Sequence, residues 1–222
     1  MTWNVPNILT VMRLLAAPAL AVMFLYFKTP WADWFALILF VTAALTDFLD
    51  GYLARAWKQE SKFGTMLDPI ADKAMVLIAL LVIIGFSGVK AWILLPATMI
   101  FFREVFVSGL REFLGDKASK LKVTKLAKWK TTAQMIAIAV LFSQGIFADK
   151  LGELTGAMDS QMIDAILMGQ IADLNGLGWV QAGAAFSYYG GIILLWIAAA
   201  LTMITGWDYF VKALPYLRDD TK

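Results

Sequence analysis

The sequence contains neither cysteine nor histidine, and only 16% of its 222 residues are charged. These absences exclude disulfides, thiolate nucleophiles, zinc sites built from Cys and His, and histidine general bases. Acid–base chemistry in this chain must therefore be done by carboxylates, lysine or tyrosine. The shortage of charge also excludes an ordinary soluble domain, in which about 25% of the residues are charged.

Long apolar stretches make up most of the chain. Hydrophobic residues account for 60% of it, and the mean hydropathy is +0.71. Stretches of about 20 apolar residues are long enough to cross a bilayer as helices. The sequence therefore predicts a single all-α integral membrane domain over residues 1–222. Its six expected transmembrane helices lie near residues 8–27, 31–53, 64–86, 91–113, 131–147 and 179–205.

Basic residues are divided very unevenly between the two sides of this arrangement. With the N-terminus in the cytoplasm, only Lys28, Lys90 and Lys150 of the 19 Lys and Arg residues lie outside, and the other 16 lie inside. Lys and Arg collect on the cytoplasmic side of membrane proteins. The charges therefore predict that both termini are cytoplasmic. They also predict an extracytoplasmic loop at 149–178, with a short interfacial helix near 160–171.

Four aspartates lie around the connection between the second and third expected helices. Asp47 and Asp50 are three positions apart, and Asp68 and Asp72 are four apart. Either spacing places a pair on one helical face. Four carboxylates cannot all remain ionised side by side without a cation, and an all-oxygen ligand set suits Mg²⁺ or Mn²⁺. We therefore predict a divalent metal site at the cytoplasmic ends of these helices.

Small residues and an arginine accompany the aspartates. Gly51 and Ala54 lie on or beside the face of the first pair, and Gly64 precedes Asp68 by one turn. A missing or short side chain lets a ligand approach the backbone. Arg55 supplies a fixed positive charge that suits a phosphate oxygen.

Three further arginines lie within expected helices. Arg13 interrupts the first helix one to two turns from its start. Its guanidinium either extends back to the lipid headgroups or contacts a phosphate of a lipid substrate, and the spacing alone does not decide between the two. Arg103 and Arg111 are eight positions apart, roughly on one helical face and near the level of the aspartates. This placement favours an anion pocket, whereas most lysines between 115 and 130 are interpreted as topology signals only.

The pattern Asp47-x2-Asp50-Gly51-x2-Ala54-Arg55-x8-Gly64-x3-Asp68-x3-Asp72 resembles the complete signature of the CDP-alcohol phosphotransferases. The resemblance implies that the four aspartates hold two ions of Mg²⁺ or Mn²⁺, and that Asp72 is also the general base. The start of the chain, with Asn7, Thr10 and Arg13, is similar to bacterial members of the family. The residues that the resemblance assigns to the CDP-diacylglycerol donor are Asn7, Thr10, Arg13, Asp47, Gly51, Ala54, Arg55 and Gly64.

Further stretches are similar to one branch of that family, the bacterial phosphatidylglycerophosphate synthases. This similarity covers most of residues 1–147 and the last expected helix, and the 149–178 loop lies outside it. It implies transfer of the phosphatidyl group of CDP-diacylglycerol to sn-glycerol 3-phosphate, with release of CMP, at the cytoplasmic face of a bacterial inner membrane. It also suggests a homodimer. The candidates for the acceptor phosphate are Arg103, Arg111 and Lys130. The stretches that resemble this branch are WNVPNILTVMRLL, SKFGTMLDPIADK, FFREVFVSGLRE and KWKTTAQM.

Two alternatives remain at this point. The first is a family member with another acceptor, such as a phosphatidylinositol-phosphate, phosphatidylserine or cardiolipin synthase, because the signature does not separate these enzymes. Residues 103–112 and 128–134 would then determine the acceptor. The second is a divalent-cation transporter, which also contains intramembrane carboxylates. Transport sites lie near the bilayer midplane, however, and these aspartates lie at helix ends.

Overall fold

The computed structural model describes residues 4–57, 61–120 and 125–217, and every regular element in these ranges is helical. A 3₁₀ segment, Gly115–Lys120, follows α4, and a π segment, Phe186–Gly190, joins α7 to α8. The α-helices are α1 (Val5–Tyr26), α2 (Trp31–Ala56), α3 (Lys62–Phe86), α4 (Ala91–Leu114), α5 (Lys125–Thr155), α6 (Ser160–Leu167), α7 (Leu177–Ala185) and α8 (Gly191–Leu217).

Five helical segments of the described chain are long and apolar enough to cross a membrane, as expected for a multi-pass membrane protein. They comprise α1, α3, α4, most of α5, and the continuous stretch from α7 through α8. The second expected span coincides with α2, a 26-residue helix. Because the side chains of α2 are described only in part beyond Asp47, the total of six spans stays a prediction.

The helices form two groups of three that pack against each other. In the first group α1 contacts both α2 and α3, and in the second α8 contacts both α4 and α5. Contacts of α2 and α3 with α5, and of α3 with α4, join the groups. Fully buried alanines, among them Ala17, Ala79 and Ala199, lie in the shared core with Phe40 and Leu80. Small residues allow helix backbones to approach closely, which is how membrane helices gain packing contacts.

The helix termini place functional side chains at one end of this bundle. Asn4 caps α1 by accepting a hydrogen bond from the Asn7 N–H at 3.0 Å, and Pro6 lies in the first turn. Ser61 caps α3 in the same way, since its Oγ accepts from the Gly64 N–H at 3.0 Å. We call this the aspartate end, because Asp47, Asp68 and Asp72 lie there. The opposite end comprises the end of α1, the start of α2 and the end of α3.

The loop predicted at 149–178 is shorter in the structure. Helix α5 continues to Thr155, and α7 already begins at Leu177. The expected short helix is present as α6, Ser160–Leu167. Asp173 then fixes the start of α7: Oδ1 accepts from the Leu177 N–H at 2.8 Å, and Oδ2 accepts from the Gly178 N–H at 2.9 Å. The last span is also longer than predicted, since α8 extends to Leu217.

Candidate active site

Three of the four predicted aspartates converge on one guanidinium at the aspartate end. Arg13 of α1 donates through Nη1 to Asp47 Oδ1 of α2 in a short ion pair. Its Nη1 also lies 3.2 Å from Asp72 Oδ1, and its Nη2 lies 3.6 Å from Asp68 Oδ1, both in α3. The helical spacing of the aspartates therefore does bring carboxylates from two helices together, and a third helix supplies a cation between them.

Burial argues against one of the two interpretations of Arg13, the extension to the headgroups, and leaves its contact with a substrate phosphate a prediction. Its side chain is only 2% exposed and points at carboxylates inside the bundle, so it does not extend to the headgroups. Thr10, one turn earlier and 2% exposed, donates its hydroxyl to Asp68 Oδ1 at 2.8 Å. In the structure both residues contact the aspartates, and their binding of the lipid donor stays a prediction.

Asn7 and Gly64 form the contact between the starts of α1 and α3. Asn7 is 3% exposed, and its Oδ1 accepts a hydrogen bond from Ser61 Oγ at 2.7 Å. A Cβ on Gly64 would lie only 2.8 Å from the same Oδ1 atom. The need for close helix packing thus explains a glycine at position 64, and the approach of a substrate to it stays a prediction.

The carboxylates suit a hard divalent cation in their chemistry. The side chains of Asp47, Asp68 and Asp72 are 40%, 46% and 43% exposed, so they are open to ions while sharing one buried guanidinium. Asp72 Oδ1 is buried and accepts no hydrogen bond from the described residues, although it lies 3.2 Å from Arg13. Within the described residues no three acidic side chains form a metal site by themselves, and the Asp50 side chain lies outside that description.

A cavity of about 600 Å³ opens beside the aspartates. Asp47 and Asp72 line it together with Arg103, Arg111 and Lys130, the three basic residues that the sequence predicts to bind an acceptor phosphate. A volume of this size is typical of small-ligand sites. The lining residues are Asp47, Pro69, Asp72, Lys73, Val76, Arg103, Glu104, Arg111, Lys130, Thr131, Thr132, Gln134 and Met135.

Glu104 organises the basic side of this cavity. It is 9% exposed, and its Oε1 accepts a short hydrogen bond from Lys130 Nζ and lies 3.1 Å from Arg103 Nη1. On the next turn the Ser108 hydroxyl donates to the Glu104 carbonyl and accepts from Lys73. One carboxylate therefore fixes two cations from different helices, which leaves a net positive charge on this wall.

Helix α8 supports the same wall from behind. A Cβ on Gly206 would lie 2.8 Å from Arg103 Cγ, so the absence of a side chain there makes room for the arginine. The Arg111 guanidinium lies 5.2 Å from the centre of the Tyr209 ring, and Tyr209 belongs to a small buried cluster between α4 and α8. Cation–π contact and packing thereby hold two arginines at the edge of the cavity.

The remaining predicted site residues belong to the last turns of α2. The backbone of Asp50, Gly51, Ala54 and Arg55 is helical, but their side chains lie outside the described ones. Sequence reasoning missed the pairing of Glu104 with Arg103 and Lys130. An acidic residue directly after an arginine in a membrane helix indicates an ion pair, because a buried charge needs a partner. Sequence reasoning also missed Gln134, which is 3% exposed and lies one turn after Lys130 on the cavity wall.

Comparison with known proteins agrees with this geometry. The family model for CDP-alcohol phosphatidyltransferase matches residues 3–204. A protein of Cereibacter sphaeroides named CDP-diacylglycerol–glycerol-3-phosphate 3-phosphatidyltransferase is 63% identical over 222 residues, covering 99% of this chain and 100% of the relative. A Rickettsia bellii protein of the same name is 37% identical, covering 96% and 97%.

Relatives from enteric bacteria align over less of the chain. An Escherichia coli protein of the same name is 38% identical over 155 residues, which cover 68% of this chain and 84% of the relative. The 149–178 segment, outside the resemblance recognised in the sequence, is included in the matches to the first two relatives and to the family model. The match over most of its length, together with the aspartates gathered around Arg13, shows that this chain belongs to the CDP-alcohol phosphatidyltransferase family.

Proposed function

We propose that this protein transfers the phosphatidyl group of CDP-diacylglycerol to sn-glycerol 3-phosphate, giving phosphatidylglycerophosphate and CMP. The observation that supports this most directly is the cavity that Asp47 and Asp72 line together with Arg103, Arg111 and Lys130. The aspartates suit a metal-bound diphosphate, and the basic residues suit an acceptor that carries its own phosphate. The names of the full-length relatives point to the same two substrates.

Divalent metal belongs on the acidic side of the cavity. We propose that Asp47, Asp50, Asp68 and Asp72 hold two ions of Mg²⁺ or Mn²⁺, because hard carboxylate oxygens are the ligands that these ions prefer. Metal bound there would neutralise the diphosphate of the donor and stabilise negative charge on the departing CMP. We also assign Arg13, which lies among these carboxylates, to the diphosphate of the donor.

The donor is assigned to the residues around the ends of α2 and α3. Gly51, Ala54 and Arg55 would contact the cytidine and the diphosphate. Asn7, Thr10 and Gly64 would act behind them, since their contacts determine where α3 begins and where Asp68 points.

The acceptor phosphate is assigned to Arg103, Arg111 and Lys130. An arginine binds a phosphate through two parallel N–H donors, which fixes its orientation. Glu104 already neutralises part of the charge on Arg103 and Lys130. Among the described residues Arg111 has no acidic ion-pair partner and lies against the Tyr209 ring, so it would supply the least neutralised charge.

The reaction then requires one proton transfer at the acceptor hydroxyl. That oxygen forms a bond to the phosphorus carrying diacylglycerol, the bond from this phosphorus to the CMP oxygen breaks, and the hydroxyl proton is removed. We assign the proton to Asp72, which borders both the acidic group and the acceptor cavity. A carboxylate within reach of the hydroxyl serves as a general base in this position.

The membrane setting follows from the same assignment. The soluble acceptor must enter from water while the donor remains in the bilayer, so a site at a helix end suits both. We propose six spans in the inner membrane of a bacterium, with the aspartate end and both termini in the cytoplasm. The charge distribution favours this orientation. A homodimer is the assembly that the family resemblance suggests.

The test is CMP release from CDP-diacylglycerol by purified protein, measured with a panel of acceptors in Mg²⁺, in Mn²⁺ and in chelator. We expect glycerol 3-phosphate to support release far better than inositol phosphate, serine or phosphatidylglycerol. Asp47→Asn should abolish release. Its matched control is Asp208→Asn, which removes a carboxylate of similar exposure, 42% against 40%, from a surface pair with Lys212.

The acceptor panel also distinguishes the alternatives. Faster release with serine, inositol phosphate or phosphatidylglycerol would assign the chain to another branch of the family. Full activity in chelator would refute the metal assignment. The cation-transporter interpretation has no support from the family match, and CMP release dependent on an acceptor would argue against it directly.

A further inference from the structure

A second cavity, of about 670 Å³, lies at the end of the bundle opposite the aspartates. Asp33 on its wall is 14 positions before Asp47 along α2, which corresponds to about 21 Å of helix. Much of its wall is apolar, and Phe24 of α1, Phe86 of α3 and Phe142 of α5 are large contributors. None of the residues assigned to the transfer reaction lines it.

Asp33 is the unusual group in this cavity. The residue is only 6% exposed, yet its Oδ2 atom is buried and has no hydrogen-bond partner among the described residues. The carboxylate also cannot withdraw into α5, because Gly145 lies against it so closely that a Cβ there would collide with both oxygens. A buried carboxylate with an unused acceptor is costly unless a donor or a cation reaches it.

Basic and aromatic groups lie around the same cavity. Lys28 and Lys90 belong to its lining, and the Lys90 ammonium lies 4.9 Å from the Tyr188 ring centre and 3.3 Å from the Tyr188 hydroxyl. Exposed tryptophans at the starts of α2 and α4, Trp31 and Trp92, occupy the same level. Tryptophan at helix ends is typical of the headgroup region of a bilayer. The cavity is therefore at the depth where lipid headgroups lie.

We propose that this cavity binds a zwitterionic phospholipid with a primary ammonium in its headgroup. The ammonium would pair with the Asp33 carboxylate, the phosphate would lie between Lys28 and Lys90, and the upper acyl chains would contact the phenylalanine wall. A primary ammonium has three N–H donors, whereas a choline headgroup has none, so the unused acceptor selects between two lipids of equal charge. An anionic lipid would meet the lysines but leave Asp33 without a cation.

Lipid retention by the purified full-length protein, measured by native mass spectrometry, tests this. The probes are phosphatidylethanolamine, phosphatidylcholine and phosphatidylglycerol with identical acyl chains. We expect phosphatidylethanolamine to bind about tenfold or more tightly than phosphatidylcholine, the amount expected of a hydrogen bond to a charged group. Asp33→Asn should remove that preference while transfer activity remains. The matched control is Asp164→Asn, which changes an exposed aspartate of α6 away from the cavity.

Equal retention of phosphatidylethanolamine and phosphatidylcholine by the unaltered protein overturns the proposal, and this comparison needs no variant to fold. Tighter retention of phosphatidylglycerol overturns it as well, because the lysines would then control binding. If Asp33→Asn keeps the preference, or Asp164→Asn loses it, the ammonium is not recognised by Asp33.

Discussion

Replacing Arg13 by glutamine tests how strongly one buried cation holds the aspartate end together. Its guanidinium is 2% exposed and is shared by three carboxylates, one of them at 3.2 Å and another at 3.6 Å. Two unit charges 3.2 Å apart attract by about 5 kcal/mol at an effective dielectric constant of about 20. Removing one member of a buried ion pair costs about 3–5 kcal/mol. Because these carboxylates are nearly half exposed, we expect a loss of about 2–3 kcal/mol.

That loss should appear in thermal unfolding of the purified protein in chelator. For a chain of this length each kcal/mol lowers the midpoint by about 2–4 °C, so Arg13→Gln should unfold about 4–12 °C earlier. Mg²⁺ should then stabilise the variant more than the unaltered protein, because an ion in the variant does not compete with the guanidinium for carboxylate oxygens. At a concentration of about 100 Kd the ion adds about 2.7 kcal/mol to the free energy of unfolding. This is enough to reverse most of the drop in the unfolding midpoint.

The matched control is Arg111→Gln, which removes the same charge from the cavity beside the aspartates but leaves the three carboxylates with their cation. We expect a smaller loss of midpoint and no extra response to Mg²⁺. The reasoning is refuted if Arg13→Gln unfolds in chelator at the temperature of the unaltered protein, or if Mg²⁺ shifts both proteins equally. Neither readout depends on enzymatic activity.

Three further predictions concern single residues. Arg111→Ala should raise the KM for glycerol 3-phosphate about ten-fold to a hundred-fold, and that for CDP-diacylglycerol little, because one charge-assisted contact is lost; equal changes in steady-state assays would indicate a structural role. Asp72→Asn should lower kcat by about two to four orders of magnitude while the protein still binds CDP-diacylglycerol, and an unchanged acidic limb in its pH–rate profile would exclude the base role. The N–H groups of Gly178 and Leu177 hold the pKa of Asp173 below its usual 3.8. The unaltered protein should therefore exceed Asp173→Ala in thermal stability at neutral pH and lose this advantage as the pH falls below about 4, whereas a constant difference would argue against the cap.

The sequence predicted the aspartate end well, because helical spacing alone determines which side chains share a face. Asp68 and Asp72 meet Arg13 as two residues one turn apart should. The sequence did not predict that Thr10 and Asn7 would be used to position α3, since a polar residue near a helix start looks the same whether it contacts substrate or protein. That distinction depends on burial, which a single sequence does not contain.

Helix ends were the least predictable part of the fold. The polar run that begins at Asp149 resembles a loop in composition, but α5 continues through it to Thr155. Charged residues do not end a helix by themselves; caps and backbone conformation do. At the other side of that loop Asp173 supplies such a cap, and α7 begins within four residues of it.

The Ser61 cap has a consequence for changes in chain length. The Ser61 hydroxyl makes two hydrogen bonds: it accepts one from the Gly64 N–H and donates one to Asn7 Oδ1. These two bonds connect the first turn of α3 to α1. Each residue of a helix advances the side chain by about 100°. A residue inserted between Ser61 and Asp68 would therefore turn both α3 carboxylates away from Arg13, whereas one inserted just before Ser61 would leave their direction unchanged. The interval from Ser61 to Asp72 therefore tolerates no insertion or deletion, in keeping with the fixed spacing between Gly64, Asp68 and Asp72.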